Sequence, residues 1–545
     1  MTDSTHFIAG NIPDAPRSDL PALLEALSAD LRSIGYTVDG VAELLGEAAH
    51  SALGRDQLIP ALIVTGRALG GEPTTAALAA VVRLWLLAEP QRAETVDAAL
   101  PGVRTQGLLQ LGLVEPAENG LVRAKVDLRP YGWAGIPGEG IVSSGGADLW
   151  VASDLAAHQR PGVLRHDHVL GIGQASTTLV QVTARRHVAR ALDLGTGCGI
   201  QTFHLLHHAE HVTATDISER ALAFTRFNLL LNAPELHVDP ANLADRVSLR
   251  LGSMLEPVAG EEFELVVSNP PFVITPRSTD EAAADQFTYR DGGLPGDDIV
   301  ASLVRALPSV LAPAGTAQLL GNWEIPGGAS WDERPQSWAG PDVDVWFIQR
   351  EQVGPEQYAE TWLQDASESR DRRLYQDSYT AYLDDFASRN VQAIGFGMIW
   401  LRRPEQGAGP VLSRFEEITY PIEQPVGPHL GAAVERADWL AAHELNDAHL
   451  LVAEDVTEER HQRPGAEHPG VILLRQGAGL RRTNLLSTEL AGFVSACDGD
   501  LSVGQIIGAL EALLGGYDGF DAESFHGGLR AEVENLVRDG FLLPA

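Results

Sequence analysis

Leu20, Leu23, Leu24, Leu27 and Leu31 recur at spacings of three and four, which places them on one face of a helix. A second apolar stretch, Thr74–Ala88, stops before Pro90 and predicts another helix. Past Gly107–Leu113 the pattern changes. The run from Val114 to Val126 is split by Asn119-Gly120, a dipeptide suited to a tight hairpin between two strands. Helices followed by a hairpin predict either a winged-helix-like module or a helical packing or dimerisation domain across residues 1–159.

From residue 160 to 410 short apolar runs alternate with helical stretches. The expected strands are Ala191–Leu194, Val212–Thr215, Val247–Leu251, Leu265–Ser268, Ala317–Gly321, Val345–Ile348 and Gly397–Leu401. Helices fit between them, as at Glu219–Leu231 and Asp298–Leu311. Such alternation predicts an α/β fold with a doubly wound, Rossmann-like sheet. The polar segment 351–390 is too long for a loop and reads as a helical insertion. In the last region, 411–545, Leu501–Leu514 and Leu529–Arg538 read as helices and Asp539–Leu543 as a closing strand. That order again predicts a winged-helix-like, mainly helical domain.

Charge narrows the range of partners. There are 39 Lys+Arg against 74 Asp+Glu, a formal net charge of −35, and Lys125 is the single lysine. The C-terminal region from 411 onward alone carries −13. A broad grip on nucleic acid by phosphate neutralisation is therefore disfavoured, and a protein substrate is favoured over RNA. No apolar run reaches the ~18–20 residues of a membrane span, so no membrane partner is expected. Met1–Asp14 carries acids and no apolar core, unlike a secretory signal. Only Cys198 and Cys497 are present, which fits a cytoplasmic protein and provides no zinc site. No metal is expected: His166, His168, His207 and His208 read as core or surface histidines.

The chemistry lies in three motifs. Ala191-Leu-Asp-Leu-Gly-Thr-Gly-Cys-Gly-Ile200 is a strand ending in an acid, then a glycine turn into a helix. Glycines are needed where the backbone takes unusual angles and a ligand approaches closely. The spacing is D-x-G-x-G-x-G, not the G-x-G-x-x-G of dinucleotide sites. Next, His211–Asp216 is a strand closing on a carboxylate that can accept both ribose hydroxyls of a nucleoside. Ser218 is available as the following helix cap, which leaves Asp216 for a ligand. Third, Val266-Val-Ser-Asn-Pro-Pro-Phe272 ends a strand with Asn269, Pro270, Pro271 and Phe272. An amide or exocyclic amine is a poor nucleophile, because its lone pair is delocalised. A site for it must hold the NH₂ and aim it. Prolines stiffen such a loop, and an aromatic ring can stack on the planar group.

Together these motifs resemble the class I methyltransferases that use S-adenosylmethionine (SAM). About residues 185–325 resemble the HemK-like branch, in the small methyltransferase domain. Asn269–Pro276 and Tyr289–Asp298 carry that likeness. The resemblance implies a seven-stranded sheet and SAM as cofactor. It implies SAM contacts from Asp193, Gly195, Thr196, Gly197, Gly199, Asp216, Ile217, Ser253, Met254 and Asn269. Asn269, Pro270, Pro271 and Phe272 would form the catalytic clamp, with the Asn269 oxygen and the Pro270 carbonyl accepting the two N–H bonds. Ser253 stands where many relatives carry Asp, and Phe272 where the HemK-like pattern has Tyr. Phe at that position is also common in guanine-N2 methyltransferases of ribosomal RNA. The implied function is N-methylation of a protein glutamine-type amide. The alternatives are a nucleic-acid base amine or a non-catalytic SAM-binding scaffold. Trp331, Trp338 and the insertion aromatics Tyr358, Trp362, Tyr375, Tyr379 and Tyr382 are further candidates for substrate contact.

Overall fold

The computed structural model describes residues 7, 12–133, 147–156, 159–160, 165–276, 293–365, 372–515 and 521–545. The chain forms two compact units. One comprises Met1–Val180, Arg186–Ala408 and Phe415–Glu417, and the other Gln181–Arg185, Gly409–Arg414 and Ile418–Ala545.

The first unit begins with helices Pro21–Ser33, Val38–Leu53, Leu58–Ala68 and Pro73–Trp85. Leu24, Leu27 and Leu31 are buried, as the spacing predicts. Two shorter helices, Ala93–Ala99 and Arg104–Leu111, lead to a small sheet of Gln91–Arg92, Leu121–Ala124 and Val114–Pro116, in that order. The hairpin turns through Glu118–Gly120, closed by the Ala117 amide donating to Leu121 O at 2.7 Å, and Asn119 and Gly120 take positive φ values of 59° and 73°. Strands Asp127–Trp133 and Ala147–Ser153 then pair with each other.

The central sheet holds seven strands in chain order. They are β1 (Val188–Leu194), β2 (Ala209–Asp216), β3 (Val247–Leu251), β4 (Phe263–Ser268), β5 (Leu311–Pro326), β6 (Asp344–Val353) and β7 (Val391–Arg402). Ser413–Glu417 adds an edge strand, and the order across the sheet is that strand, β6, β7, β5, β4, β1, β2, β3. Strands β1 to β5 run parallel to one another, and β7 runs antiparallel between β5 and β6. Parallel strands need crossovers, and these are helices α1 (Ile200–Leu205), α2 (Glu219–Leu231) and α3 (Asp298–Ala306). The order reverses at β1 and β4, the switch point where open α/β sheets bind ligands.

The strands outrun the apolar segments that predict them, because several polar side chains are buried in pairs. Asn322 and Gln349 are both fully buried, and Gln349 Oε1 accepts from Trp323 Nε1 at 2.9 Å. Glu324 pairs with Arg389 at 2.7 Å. In contrast, the helix expected over Asp298–Leu311 stops at Ala306. Pro308 follows, and the chain passes through a short 3-10 turn, Leu307–Val310.

The insertion between β6 and β7 consists of α4 (Pro355–Asp365) and α5 (Arg372–Ser388). Tyr358, Tyr382 and Phe386 pack with Leu363, Ile394 and Ile274 in a separate cluster. Tyr358 and Tyr382 are therefore core residues rather than substrate contacts. Trp338 is likewise buried, against Phe347, while Trp331 packs on Trp323.

In the second unit, helices Gly427–Ala442, Thr488–Ser495, Val503–Leu514 and Ala522–Asp539 pack around a core including Leu450, Phe493, Val533 and Phe541. The strand expected over Asp539–Leu543 starts only at Leu542. Asp539 ends the last helix and Gly540, at φ 82°, caps it.

Candidate active site

The C-terminal ends of β1 and β4 flank the switch point, with those of β2 and β3 following beside β1. After Leu194 the chain turns through Gly195, Gly197 and Gly199, whose φ values are 78°, 58° and 96°. A side chain at Gly197 would be strained by this backbone, though the space above it and above Gly195 is open. The Gly195 and Thr196 amides both donate to Thr215 O, at 3.0 and 2.9 Å, which pins the loop to the end of β2.

Asp193 lies under this loop and is only 1% exposed. Its Oδ2 accepts from Thr196 Oγ1 at 2.8 Å, Thr202 Oγ1 at 2.6 Å and the Thr202 amide at 2.9 Å. Asp193 thus shapes the loop from below, and its Oδ1 has no hydrogen-bond partner among the described residues. Burial pushes its carboxyl up to about 6, against these hydrogen bonds and helped by nearby Asp216. The sign of the consequence follows from linkage. A carboxyl with a raised folded pKa contributes stability below its unfolded value, and that contribution is lost as pH rises through about 6. Asp193→Asn keeps an acceptor towards the threonines and cannot ionise. Between pH 4 and 6.5, wild type is expected to lose stability relative to Asp193→Asn as pH rises, measured by urea unfolding at each pH. Parallel profiles would contradict this.

Asp216 ends β2. Its Oδ2 accepts from the Gly197 amide at 3.0 Å and its Oδ1 from the Ser218 amide at 2.9 Å. Ser218 caps α2 through its own hydroxyl, which accepts from the Ala221 amide. The cap function therefore falls on Ser218, and Asp216 stands at the loop edge. Burial raises the Asp216 carboxyl above its usual range. Ile217 beside it is 57% exposed. The Gly252 amide donates to Asp216 O at 3.0 Å, so Ser253 and Met254 follow on the same edge. Met254, at φ 51°, and Phe272 each pack against the central core.

On the other side, Leu194 pairs in register with Ser268, and Ser268 Oγ donates to Leu194 O at 2.8 Å. This holds Asn269 at the end of β4, next to the glycine loop. Asn269 Oδ1 is buried and has no hydrogen-bond partner among the described residues. Pro270 is buried, and Pro271 and Phe272 are partly exposed. Open space over the glycines, a carboxylate at the end of β2, exposed Ile217 and the unpartnered Asn269 oxygen fit a nucleoside ligand that carries its reactive end towards Asn269.

Residues matching a family described as "Methyltransferase small domain" span 154–290, covering this edge. The end of the central sheet that holds the glycine loop and Asn269 lies within this match. Residues 33–125 match a family described as a domain of unknown function, DUF7059. The chain is 31% identical over 159 residues to "Ribosomal protein uL3 glutamine methyltransferase" of Bradyrhizobium diazoefficiens, covering 28% of this chain and 46% of that protein. It is 32% identical over 167 residues to "Release factor glutamine methyltransferase" of Geobacter sulfurreducens, covering 28% and 51%. Against "Ribosomal RNA small subunit methyltransferase C" of Alcanivorax borkumensis the identity is 24% over 193 residues, covering 35% and 50%. The chain spans about half the length of these relatives.

Three supports of the methyltransferase domain are absent from the sequence motifs. Asn228 on α2 is fully buried, and its Nδ2 donates to Cys198 O in the glycine loop and to Ala152 O, both at 2.9 Å. Its Oδ1 accepts from the Ala152 amide at 2.8 Å, and Asn232 bonds Trp150 in the same way. Two asparagines four residues apart, Asn228 among the apolar residues Phe227–Leu231 and Asn232 at the C-cap, are the signal that would have found them. Next, Arg334 forms an ion pair with buried Asp297, which also accepts from the Glu324 amide at 2.8 Å. Third, Tyr358 of the insertion accepts at its hydroxyl from the Ile274 amide at 2.8 Å and Asn322 Nδ2 at 3.1 Å. Ile274 lies just past the Asn269–Phe272 clamp, so α4 braces that segment. Tyr358→Phe leaves two buried donors unpaired, at a cost of about 1–3 kcal/mol each. Hydrogen exchange of the Ile274 amide is expected to quicken by about tenfold or more. Unchanged exchange would remove the brace from the account.

Proposed function

We propose that this chain transfers the methyl group of SAM to a planar nitrogen, and that the acceptor is a glutamine side-chain amide of a protein. The carrying observation is the buried, unpartnered Oδ1 of Asn269, fixed beside the glycine loop. A buried acceptor without a donor costs free energy, and a substrate N–H supplies that donor. SAM supplies an electrophilic methyl group on a sulfonium, so no further activation of the donor is required.

The chain's own residues do the rest. Asp216 would accept from the ribose, Ile217 and Met254 would lie against the adenine, and the loop Gly195–Gly199 would let the ligand approach the backbone. Asn269 Oδ1 and the Pro270 carbonyl accept the two N–H bonds of the amide. This aligns the nitrogen and stabilises the positive charge it gains as the N–C bond forms. The extra proton then leaves to water, and Phe272 stacks on the amide plane. The two relatives above named as glutamine methyltransferases support the amide reading, and so does the acidity of the whole chain. A base amine in RNA is the second reading, favoured by Phe272 and by the likeness to the ribosomal RNA methyltransferase.

Incubation with radiolabelled SAM and a cell lysate, followed by separate protease and RNase digestion, tests the choice. Label released by protease and resistant to RNase is the expected result. Label released by RNase alone would overturn the amide reading.

A further inference from the structure

The C-terminal region carries −13, yet four of its arginines meet at one recess. Arg414, Arg436, Arg482 and Arg538 line it together with Asp455 and Asp539. Both carboxylates are engaged. Asp539 Oδ1 accepts from Arg414 Nη2 at 2.7 Å and lies 3.7 Å from Arg482 Nε. Asp455 Oδ2 accepts from the Ala478 amide at 3.0 Å. Arg538 turns towards Glu534 and Asn535, at 2.6 and 2.8 Å.

Arg436, on the helix Gly427–Ala442, differs from the other three. Among the described residues it has no ion-pair partner, and its buried Nε donates to nothing. Its guanidinium lies against Gly540, where a Cβ would come within 2.8 Å of Nη2, so the residue after the helix end must stay small. Burial pulls Arg436 down to about 10, with Arg482 and Arg414 adding to the effect and Asp539 opposing it. The guanidinium nevertheless keeps its charge at neutral pH. Desolvated positive charge without a counter-charge is costly, and a bound anion relieves it. His429 on the wall is also held low by burial, so it adds a neutral ring and no charge at pH 7. Glu534 pairs with Arg538 as Asp539 does with Arg414, so the guanidinium charge left without a partner among the described residues is that of Arg436, which suits a bound anion.

The recess does not stand alone. Arg414, Arg538 and Asp539 also border a neighbouring groove of about 690 Å³ walled by Leu412, Asn484 and Leu490. That volume lies in the range of small-molecule sites. We propose that the C-terminal unit binds a small phosphorylated ligand, its phosphoryl group held by Arg436 with Arg414 and Arg482 and its body in the adjoining groove. Planar guanidinium forks match phosphate oxygens in pairs, which a lysine cannot do.

The test titrates inorganic phosphate into the full chain by calorimetry, with S-adenosylhomocysteine present to fill the glycine loop. Ionic strength is held constant with chloride, and acetate serves as a second anion. Saturable phosphate binding is expected, at least tenfold weaker in Arg436→Met, weakened in Arg436→Lys and unchanged in the surface variant Arg460→Met. The Lys variant keeps the charge and covers the case in which the Met variant fails to fold. Absence of saturable binding, equal binding of acetate, or wild-type affinity in both Arg436 variants would overturn the proposal.

Discussion

Asn269→Ala is expected to lower the transfer rate at saturating SAM by about 10²–10³-fold, while the SAM dissociation constant stays within about threefold. The reason lies in where the side chain stands. Its Oδ1 has no partner among the described residues, so removing it breaks no internal hydrogen bond and leaves the fold intact. In the proposed reaction its interaction is with the acceptor nitrogen, and it would strengthen as that nitrogen gains charge. An interaction made mainly in the transition state appears in kcat and leaves cofactor binding untouched. Asn269→Asp is the sharper companion. It keeps the acceptor oxygen and adds charge, so it should retain more activity than the alanine variant. Rapid-quench measurement of a single turnover, beside calorimetric binding of S-adenosylhomocysteine, separates the two quantities. A variant with wild-type turnover would refute the clamp.

Asp216→Ala is expected to give the opposite pattern: SAM affinity reduced by about 10²-fold or more, from the loss of two hydrogen bonds to a charged acceptor at about 1.5–3 kcal/mol each. Part of that loss is indirect, because the Gly197 and Ser218 amides lose the acceptor that shapes the loop. Asp216→Asn separates the parts by keeping one acceptor oxygen. The carboxyl is raised by burial, so its accepting, ionised form disappears as pH falls through that raised value. Wild-type affinity should therefore weaken towards acidic pH, and the Asn variant should be flatter. Equal affinity of Asp216→Ala and wild type for S-adenosylhomocysteine would remove Asp216 from the cofactor site.

The parts legible in the sequence were local ones. A strand end, a glycine turn and the N-P-P-F stretch each state their geometry within ten residues, and the strands' C-terminal ends then bring them to one edge. The hairpin at Asn119-Gly120 was legible for the same reason, since both residues tolerate positive φ. Boundaries were lost where polarity misleads. β5 continues through Asn322 and Glu324, and β6 through Gln349, because Asn322 Nδ2, Glu324 and Gln349 find partners from distant segments in the core. The helix at Asp298 was overextended because its apolar spacing outweighed Pro308. Tyr358 and Asn228 act through tertiary contacts 84 and 30 residues away along the chain, at Ile274 and Cys198. Averaging charge by region hid the four arginines at one recess for the same reason. The likeness to the HemK-like family stops at the methyltransferase domain. The Tyr289–Gly292 part of the later stretch that carries it lies outside the described residues.

The most direct measurement is the chemical identity of the methylated atom. After reaction with SAM, protein from the lysate is digested and its peptides are fragmented by mass spectrometry. A mass gain of one methylene located on a glutamine side chain is expected, absent when Asn269→Ala replaces the wild type. A methyl group located on a nucleobase, or on an oxygen or carbon atom of the protein, would contradict it.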